Sequence, residues 1–165
     1  MRIEPARQED VSAIAALWHA GWHDAHAEVV SADLVATRVP EEFTNRARAH
    51  LARTFVARNG EGIAGFFMLD GSEVYQFYVD ALLRGSGAAA ALMSEAERHL
   101  KGKLARLDCT VGNDRAARFY EKAGWQRGAQ QSVEVETAQG PMAVTVWRFT
   151  KDLRQGVSDV GGGLA

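Results

Sequence analysis

The chain has 165 residues, of which 47% are hydrophobic and 24% are charged, and its formal net charge at pH 7 is -2. These values are typical of a soluble globular protein with one core, and the lack of a basic excess argues against a nucleic-acid-binding surface. The single cysteine, Cys109, excludes an internal disulfide and fits a reducing compartment. A charged N-terminus and the lack of a long apolar run predict no secretory signal and no membrane association, so we expect a cytoplasmic protein.

The first half of the chain predicts helices followed by antiparallel strands. In order, the predicted elements are an edge strand over 1–5, a helix opened by Asp10 that reaches about Ala27, an irregular stretch over 29–39, a helix over 41–51, and strands over 54–57 and 63–69 joined by a turn at 59–62. The first helix is predicted from apolar residues that recur at helical spacing, and Pro40 suits the start of the second.

The second half of the chain predicts alternating strands and helices. Its elements are a central strand over 74–79, a helix from Ser86 or Gly87 to about Leu100, a strand over 104–109, a helix over 114–123 capped by Gly124, and strands over 131–136 and 142–149. This order predicts an α/β fold with a mixed, largely antiparallel sheet and helices on both faces. We expect one domain over 1–155 and a flexible, glycine-rich tail over 156–165.

The stretch 73–92 joins the central strand to an alanine-rich helix through Gly85-Ser86-Gly87. Backbone N–H groups at the start of a helix attract phosphate, and glycines let a diphosphate approach the main chain. A turn without a ligand, a dinucleotide site and an acyl-coenzyme A (CoA) site all fit the loop alone. Gly85, Gly87 and Ala90 satisfy the dinucleotide pattern G-x-G-x-x-A, but the insertion of 80–84 and the preceding antiparallel strands disfavour it.

A second motif lies downstream, where Asn113, Ala116, Phe119 and Tyr120 recur at helical intervals before Gly124-Trp125. Together the two motifs resemble the signature regions of the GCN5-related N-acetyltransferase (GNAT) family. The loop 84–89 matches R/Q-x-x-G-x-G/A, and 113–125 matches N-x-x-A-x-x-F-Y-x-x-x-G-W/F. The resemblance covers about 54–125, with Ala81 as a departure where many members have proline.

The resemblance implies a two-part binding site for acetyl-CoA. Backbone groups of the central strand would pair with the pantetheine arm, loop amides would hold the pyrophosphate, Asn113 would bind the pantetheine arm, and the N–H of Val79 would stabilise the oxyanion. The implied cofactor-binding residues are Phe77, Tyr78, Val79, Arg84, Gly85, Ser86, Gly87, Ala88, Ala89, Asn113 and Tyr120.

Acyl transfer to an amine also needs an acid and a base. Tyr120 is the predicted acid, because a tyrosine pKa of about 10 keeps the hydroxyl protonated at neutral pH. Asp108, at the end of a strand, is the candidate base, with Glu73 or a chain of waters as the alternatives. Cys109 invites a covalent acyl-enzyme interpretation, but a cysteine in a buried strand is more often part of the core.

The first helix carries His19, His23 and His26 at spacings that suit a metal. Apart from Asp24, no carboxylate or cysteine is near enough in sequence to complete such a site, so we expect no metal. In the GNAT family the first helices line the acceptor pocket, so the resemblance makes Trp22, His23 and His26 the candidate substrate-binding residues.

The resemblance therefore implies an N-acetyltransferase that moves an acetyl group from acetyl-CoA to a primary amine by direct attack. The alternative is a non-catalytic module of the same fold that binds or senses acyl-CoA. We expect a small-molecule or peptide amine as the acceptor, and the late strands as the surface of a homodimer, if one forms.

Overall fold

A computed structural model describes residues 1–60 and 62–154 of the chain. The predicted tail over 156–165 and Glu61 of the predicted turn lie outside these residues. The helices are α1 (Val11–His26), α2 (Ala32–Thr37), α3 (Pro40–Ala49), α4 (Ala88–His99) and α5 (Asp114–Lys122). The strands are β1 (Arg2–Pro5), β2 (Thr54–Asn59), β3 (Gly62–Asp70), β4 (Glu73–Val79), β5 (Leu104–Thr110), β6 (Gln126–Val135) and β7 (Met142–Asp152). None of the helices in the described part of the chain is long and apolar enough to cross a membrane.

The strands of the described residues form one mixed sheet in the order β1-β2-β3-β4-β5-β7-β6. Neighbouring strands are antiparallel except for β4 and β5, which run parallel because α4 connects them. The predicted sheet type is confirmed, and β1 is an edge strand as predicted.

Helices cover both faces of the sheet, as predicted. On one face, α1 and α3 pack through a cluster in which Trp18 meets Phe43 and Phe66 edge to face, with ring centroids 5.4 and 5.9 Å apart. On the other face, α4 and α5 bury a cluster that includes Leu92 and Phe149. The apolar spacing in α1 thus places its tryptophans in the core, as the periodicity predicts.

Three local predictions were wrong. The stretch 29–39 contains α2, whose six residues are too few to show a periodic pattern; Ser31 Oγ accepts a hydrogen bond from the N–H of Leu34 at its start. Asp10 does not cap α1, because its carboxylate accepts the N–H of Arg7 and pairs with Arg58 instead. Strand β6 begins earlier than predicted, since its first residues are polar and exposed on both faces and show no alternation.

Candidate active site

A gap between two strands in the middle of the sheet is the basis of the site. β4 and β5 pair only at Glu73 and Arg106, and the backbone N–H of Arg106 donates to the carbonyl of Ser72. Beyond that point β5 pairs with β7 alone, so the facing edges of β4 and β5 separate. Tyr75 is an extra residue in β4, because Val74 and Gln76 pair with the consecutive residues Leu69 and Met68. This bulge directs the side chain of Tyr75 to the α1–α3 face.

The gap belongs to a cavity of about 1350 Å³. This volume exceeds the roughly 300–1,000 Å³ of a site for one small molecule, so the cavity has room for two ligands. Of the residues predicted from sequence, those that line it are Trp22, His26, Phe77, Tyr78, Val79, Arg84, Gly85, Gly87, Ala89, Asp108, Asn113 and Tyr120. His23, Ser86 and Ala88 are not part of the lining.

The predicted phosphate loop forms one end of the cavity. Gly85 and Gly87 have φ angles of +79° and +87°, which explains why both positions are glycine. The side chain of Ser86 turns back, its hydroxyl donating to the carbonyl of Leu83 and accepting the N–H of Ala88. The N–H groups of Gly85 and Gly87 have no hydrogen-bond partner among the described residues, and the first N–H groups of α4 lack helical partners as at any helix start. The loop therefore presents a set of available donors.

Arg84 reaches from this loop to α1. Its Nη2 donates to Asp24 Oδ2 at 2.7 Å, and Arg115 lies 3.4 Å from the same oxygen. The hydrogen bond from Arg84 is the main reason that the pKa of Asp24 is lowered. Asp24 also lines the cavity, so α1 and the predicted phosphate loop are joined by an ion pair that sequence reasoning did not predict.

Tyr120 of α5 lies on the wall of the gap. It is 9% exposed and packs edge to face against Phe119 and Phe149. Burial raises the pKa of Tyr120, so the phenol holds its proton throughout the physiological range. Asn113 lies just before α5, and its side chain makes no capping bond to the helix, which leaves the amide available. Cys109 is buried beside them, and burial raises the pKa of its thiol to about 12, which disfavours a thiolate nucleophile.

The two candidate bases lie in different surroundings. Arg148, directly across from Asp108 on β7, donates Nε and Nη2 to the Asp108 oxygens at 2.9 and 3.1 Å. Glu73 lines the same cavity, and burial raises its pKa, although Arg106 at 3.9 Å lowers it in part. Both oxygens of Asp108 are occupied by Arg148, whereas Glu73 has only the longer contact with Arg106, so this geometry favours Glu73 over Asp108 as the base.

The residues of α1 that sequence places in the acceptor pocket offer little accessible surface. Trp22 is 7% exposed, and the ring of His26 stacks on it with centroids 4.9 Å apart. Burial lowers the pKa of His26 to about 4, and its Nδ1 lies 2.9 Å from the carbonyl of Trp22, so the imidazole is neutral and Nδ1 carries the hydrogen. His23 does not line the cavity, and its Nε2 lies 2.7 Å from the carbonyl oxygen of Arg38. Within the described residues, no group of three or more His, Cys, Asp or Glu is placed to hold a metal.

Sequence reasoning missed the arginines of the cavity. Arg38, Arg46, Arg106 and Arg148 all line it, in addition to Arg84. Arg106 and Arg148 share a sheet face with Asp108, which alternation along each strand would have indicated if the strand register were known. No sequence pattern marks Arg38, because it follows the unpredicted helix α2.

Comparisons with known proteins agree with this geometry. The family model of the acetyltransferase (GNAT) domain matches residues 22–146. The solution structure of apo YjaB from Escherichia coli is 22% identical, with a TM-score of 0.67 over 90% of this chain and 95% of that one. YncA from Salmonella typhimurium, a putative acetyltransferase solved with acetyl-CoA, is 19% identical, with a TM-score of 0.66 over 93% and 94% of the two chains.

PaiA N-acetyltransferase from Thermoplasma acidophilum, solved with coenzyme A, is 18% identical, with a TM-score of 0.63 over 92% of this chain and 98% of that one. A comparison with curated proteins found no match. At these identities the solved structures show a shared fold, while the family model covers most of the chain, so the resemblance carried by the two motifs is confirmed. The chain belongs to the GNAT acetyltransferase family.

Proposed function

We propose that the protein is an N-acetyltransferase that moves the acetyl group of acetyl-CoA to a primary amine by direct attack. The observation that carries this proposal is the gap between β4 and β5, which brings the donors of the glycine loop and the protonated Tyr120 into one cavity. The acetyl-CoA and coenzyme A bound to two fold neighbours support the choice of donor. We further propose that 1–155 acts as one domain.

The unpaired edge of β4 suits the pantetheine arm, whose amides can pair with an exposed strand. In this proposal the backbone around Phe77–Val79 receives the arm, the side-chain amide of Asn113 bonds to it, and the N–H groups of 84–89 hold the pyrophosphate. Arg84 adds a positive charge once it leaves Asp24.

In the reaction, a C–N bond forms between the amine and the acetyl carbonyl carbon, and the C–S bond breaks. The amine must lose a proton, which Glu73 accepts through a chain of waters, because its raised pKa makes it a better base than an ordinary carboxylate. The departing thiolate must gain a proton, which Tyr120 donates. The N–H of Val79 is the proposed donor to the developing oxyanion.

A screen of primary amines that follows CoA release from acetyl-CoA tests the proposal. Tyr120→Phe should lower turnover about 10²–10⁴-fold, the usual contribution of general acid–base catalysis, with little change in acetyl-CoA affinity. The control is Tyr75→Phe, which removes the hydroxyl that accepts a bond from Arg46 and should cause a much smaller loss. If the protein binds acetyl-CoA but acetylates no amine, it is a binding module, and unchanged turnover in Tyr120→Phe removes Tyr120 from the mechanism.

A further inference from the structure

One buried and one partly buried arginine line the acceptor side of the cavity. Arg38, just after α2, has a side chain that is only 3% exposed, and Arg46 of α3 is 17% exposed. Arg38 Nη1 donates to Glu42 and to the carbonyl oxygen of Glu136, and Arg46 Nη2 donates to the hydroxyl of Tyr75 at 2.9 Å. The guanidinium groups also lie over tryptophan rings, Arg46 over Trp18 at 4.3 Å and Arg38 over Trp22 at 5.6 Å. These contacts hold both groups in fixed positions.

The charges of this cluster do not balance. Both guanidinium groups form ion pairs with the same carboxylate, that of Glu42, which is itself 8% exposed. Burial lowers the pKa of Arg38, and the charge of Arg46 lowers it further, so the surroundings disfavour the positive charge that remains. The neighbouring imidazole of His26 is neutral and does not offset this positive charge.

The hydrogen bonds of the cluster are also incomplete. Arg38 Nε and Arg46 Nη1 are buried without a hydrogen-bond partner among the described residues, as is Glu42 Oε2. Together with Trp18 Nε1, three buried donors thus outnumber the one unbonded acceptor, Glu42 Oε2. Buried donors in native proteins are nearly always bonded, and guanidinium groups bond carboxylates through paired, parallel hydrogen bonds.

Acidic groups lie elsewhere in the same cavity. The acidic residues that line it are Asp24, Glu73, Asp80, Asp108, Glu134 and Glu136. Asp24 pairs with Arg84 and Asp108 with Arg148, and among the described residues none of the six forms an ion pair with Arg38 or Arg46. The cavity therefore has a surplus of positive charge at Arg38 and Arg46 and a separate carboxylate, Glu73, where an amine would lose its proton. A ligand with both an ammonium and a carboxylate matches this distribution.

We propose that the acceptor is a primary amine that also carries a carboxylate, and that Arg38 and Arg46 bind that carboxylate. This inference rests on the proposed function, since it names the class of amine that the same cavity takes. A free amino acid has the required groups, and its carboxamide is the matched compound that lacks the charge.

The experiment compares the nineteen standard amino acids that have a primary α-amine with their carboxamides as acceptors, following CoA release from acetyl-CoA. We expect the preferred acid to exceed its carboxamide by about 10- to 100-fold in kcat/KM, the range for loss of a hydrogen bond to a charged group. Arg46→Gln should reduce that preference at least about tenfold. The control is Arg98→Gln, which changes an exposed arginine paired with Glu95 on α4.

A second variant covers the case in which loss of charge prevents folding. Arg38→Lys keeps a cation beside Glu42 but loses the paired hydrogen bonds, and it should also weaken the preference for acids. The inference would be overturned if carboxamides are acetylated as well as the acids, or if a preference for acids is unaltered in both variants. Either result leaves the N-acetyltransferase proposal standing. If no amine is acetylated, the wild type and Arg38→Lys are titrated with the N-acetyl amino acids. Equal affinity of the two proteins for every one of these compounds refutes carboxylate binding, and weaker binding to Arg38→Lys supports it.

Discussion

Replacement of Gly65 by alanine should both destabilise the protein and displace one wall of the site. Gly65 lies on β3 opposite Val79, at the end of β4 that borders the gap. A Cβ atom at this position would lie 2.8 Å from the carbonyl oxygen of Tyr78 and 3.1 Å from Leu92 Cδ2. The leucine methyl can rotate away, but the carbonyl is part of the backbone. The end of β4 must therefore move by a few tenths of an ångström.

Overpacking of this kind costs about 1–3 kcal/mol. For a domain of this size, each kcal/mol lowers Tm by about 2–4 °C, so we expect Tm to fall by roughly 2–12 °C. Activity should fall as well, because the displaced segment carries the N–H of Val79 that we place at the oxyanion. A shift well below 1 Å should cost about tenfold in kcat/KM, since a displacement of 1 Å can cost about 100-fold.

Gly62 on the same strand provides the matched control. Apart from its chain neighbours, no atom of the described residues lies within 4 Å of the place where its Cβ would be. Gly62→Ala should therefore leave Tm unchanged or raise it slightly, because alanine restricts the unfolded chain. Thermal unfolding of both variants at one protein concentration, followed by kinetics below the transition, measures the two effects. The packing argument fails if Gly65→Ala unfolds with the wild type, or if Gly62→Ala is destabilised as strongly.

Two further substitutions test charged residues of the cavity. Glu73→Gln should lower turnover about 10²–10⁴-fold. In the wild type kcat/KM should rise as the pH increases through the raised pKa of Glu73, where the carboxyl loses its proton. If Glu73→Gln loses less turnover than Asp108→Asn, each measured across pH, then Asp108 is the base instead. Asp24→Asn should free Arg84 and lower the KM for acetyl-CoA several-fold at low salt with little change in kcat; a higher KM would show that Asp24 positions Arg84 instead of competing for it.

The parts of the site that sequence predicted are those with local causes. Gly85 and Gly87 were assigned to a phosphate loop because their backbone angles are needed there, and both have positive φ. Gly124 was assigned as a helix cap, and its N–H donates to the carbonyl of Glu121. Tyr120 was identified by its motif. Each of these depends on a few neighbouring positions, which a sequence displays directly.

The remaining parts depend on which residues meet across the fold. Asp108 faces the side of the sheet that alternation predicts, but its pairing with Arg148 follows from the β5–β7 register, which a sequence does not display. Its sequence spacing predicts His23 as a pocket residue, but its Nε2 lies within hydrogen-bond distance of the carbonyl oxygen of Arg38, just after α2. The cluster of Arg38 and Arg46 forms only when α2 and α3 pack beside β4.

The single pairing of Glu73 with Arg106 means that the sheet is two smaller sheets joined at one corner. The buried cluster under α4 and α5 draws on both halves, including Phe67 from the first and Leu107 from the second. In the cluster on the other face, the buried residues within the described part of the chain all precede residue 69. The second half contributes only partly buried side chains to it, those of Val135, Met142 and Val144. The packing beneath α4 and α5 therefore mainly sets the angle between the two halves of the sheet. Core substitutions beneath α4 and α5 can change the width of the opening, and thereby catalysis, without contacting either substrate.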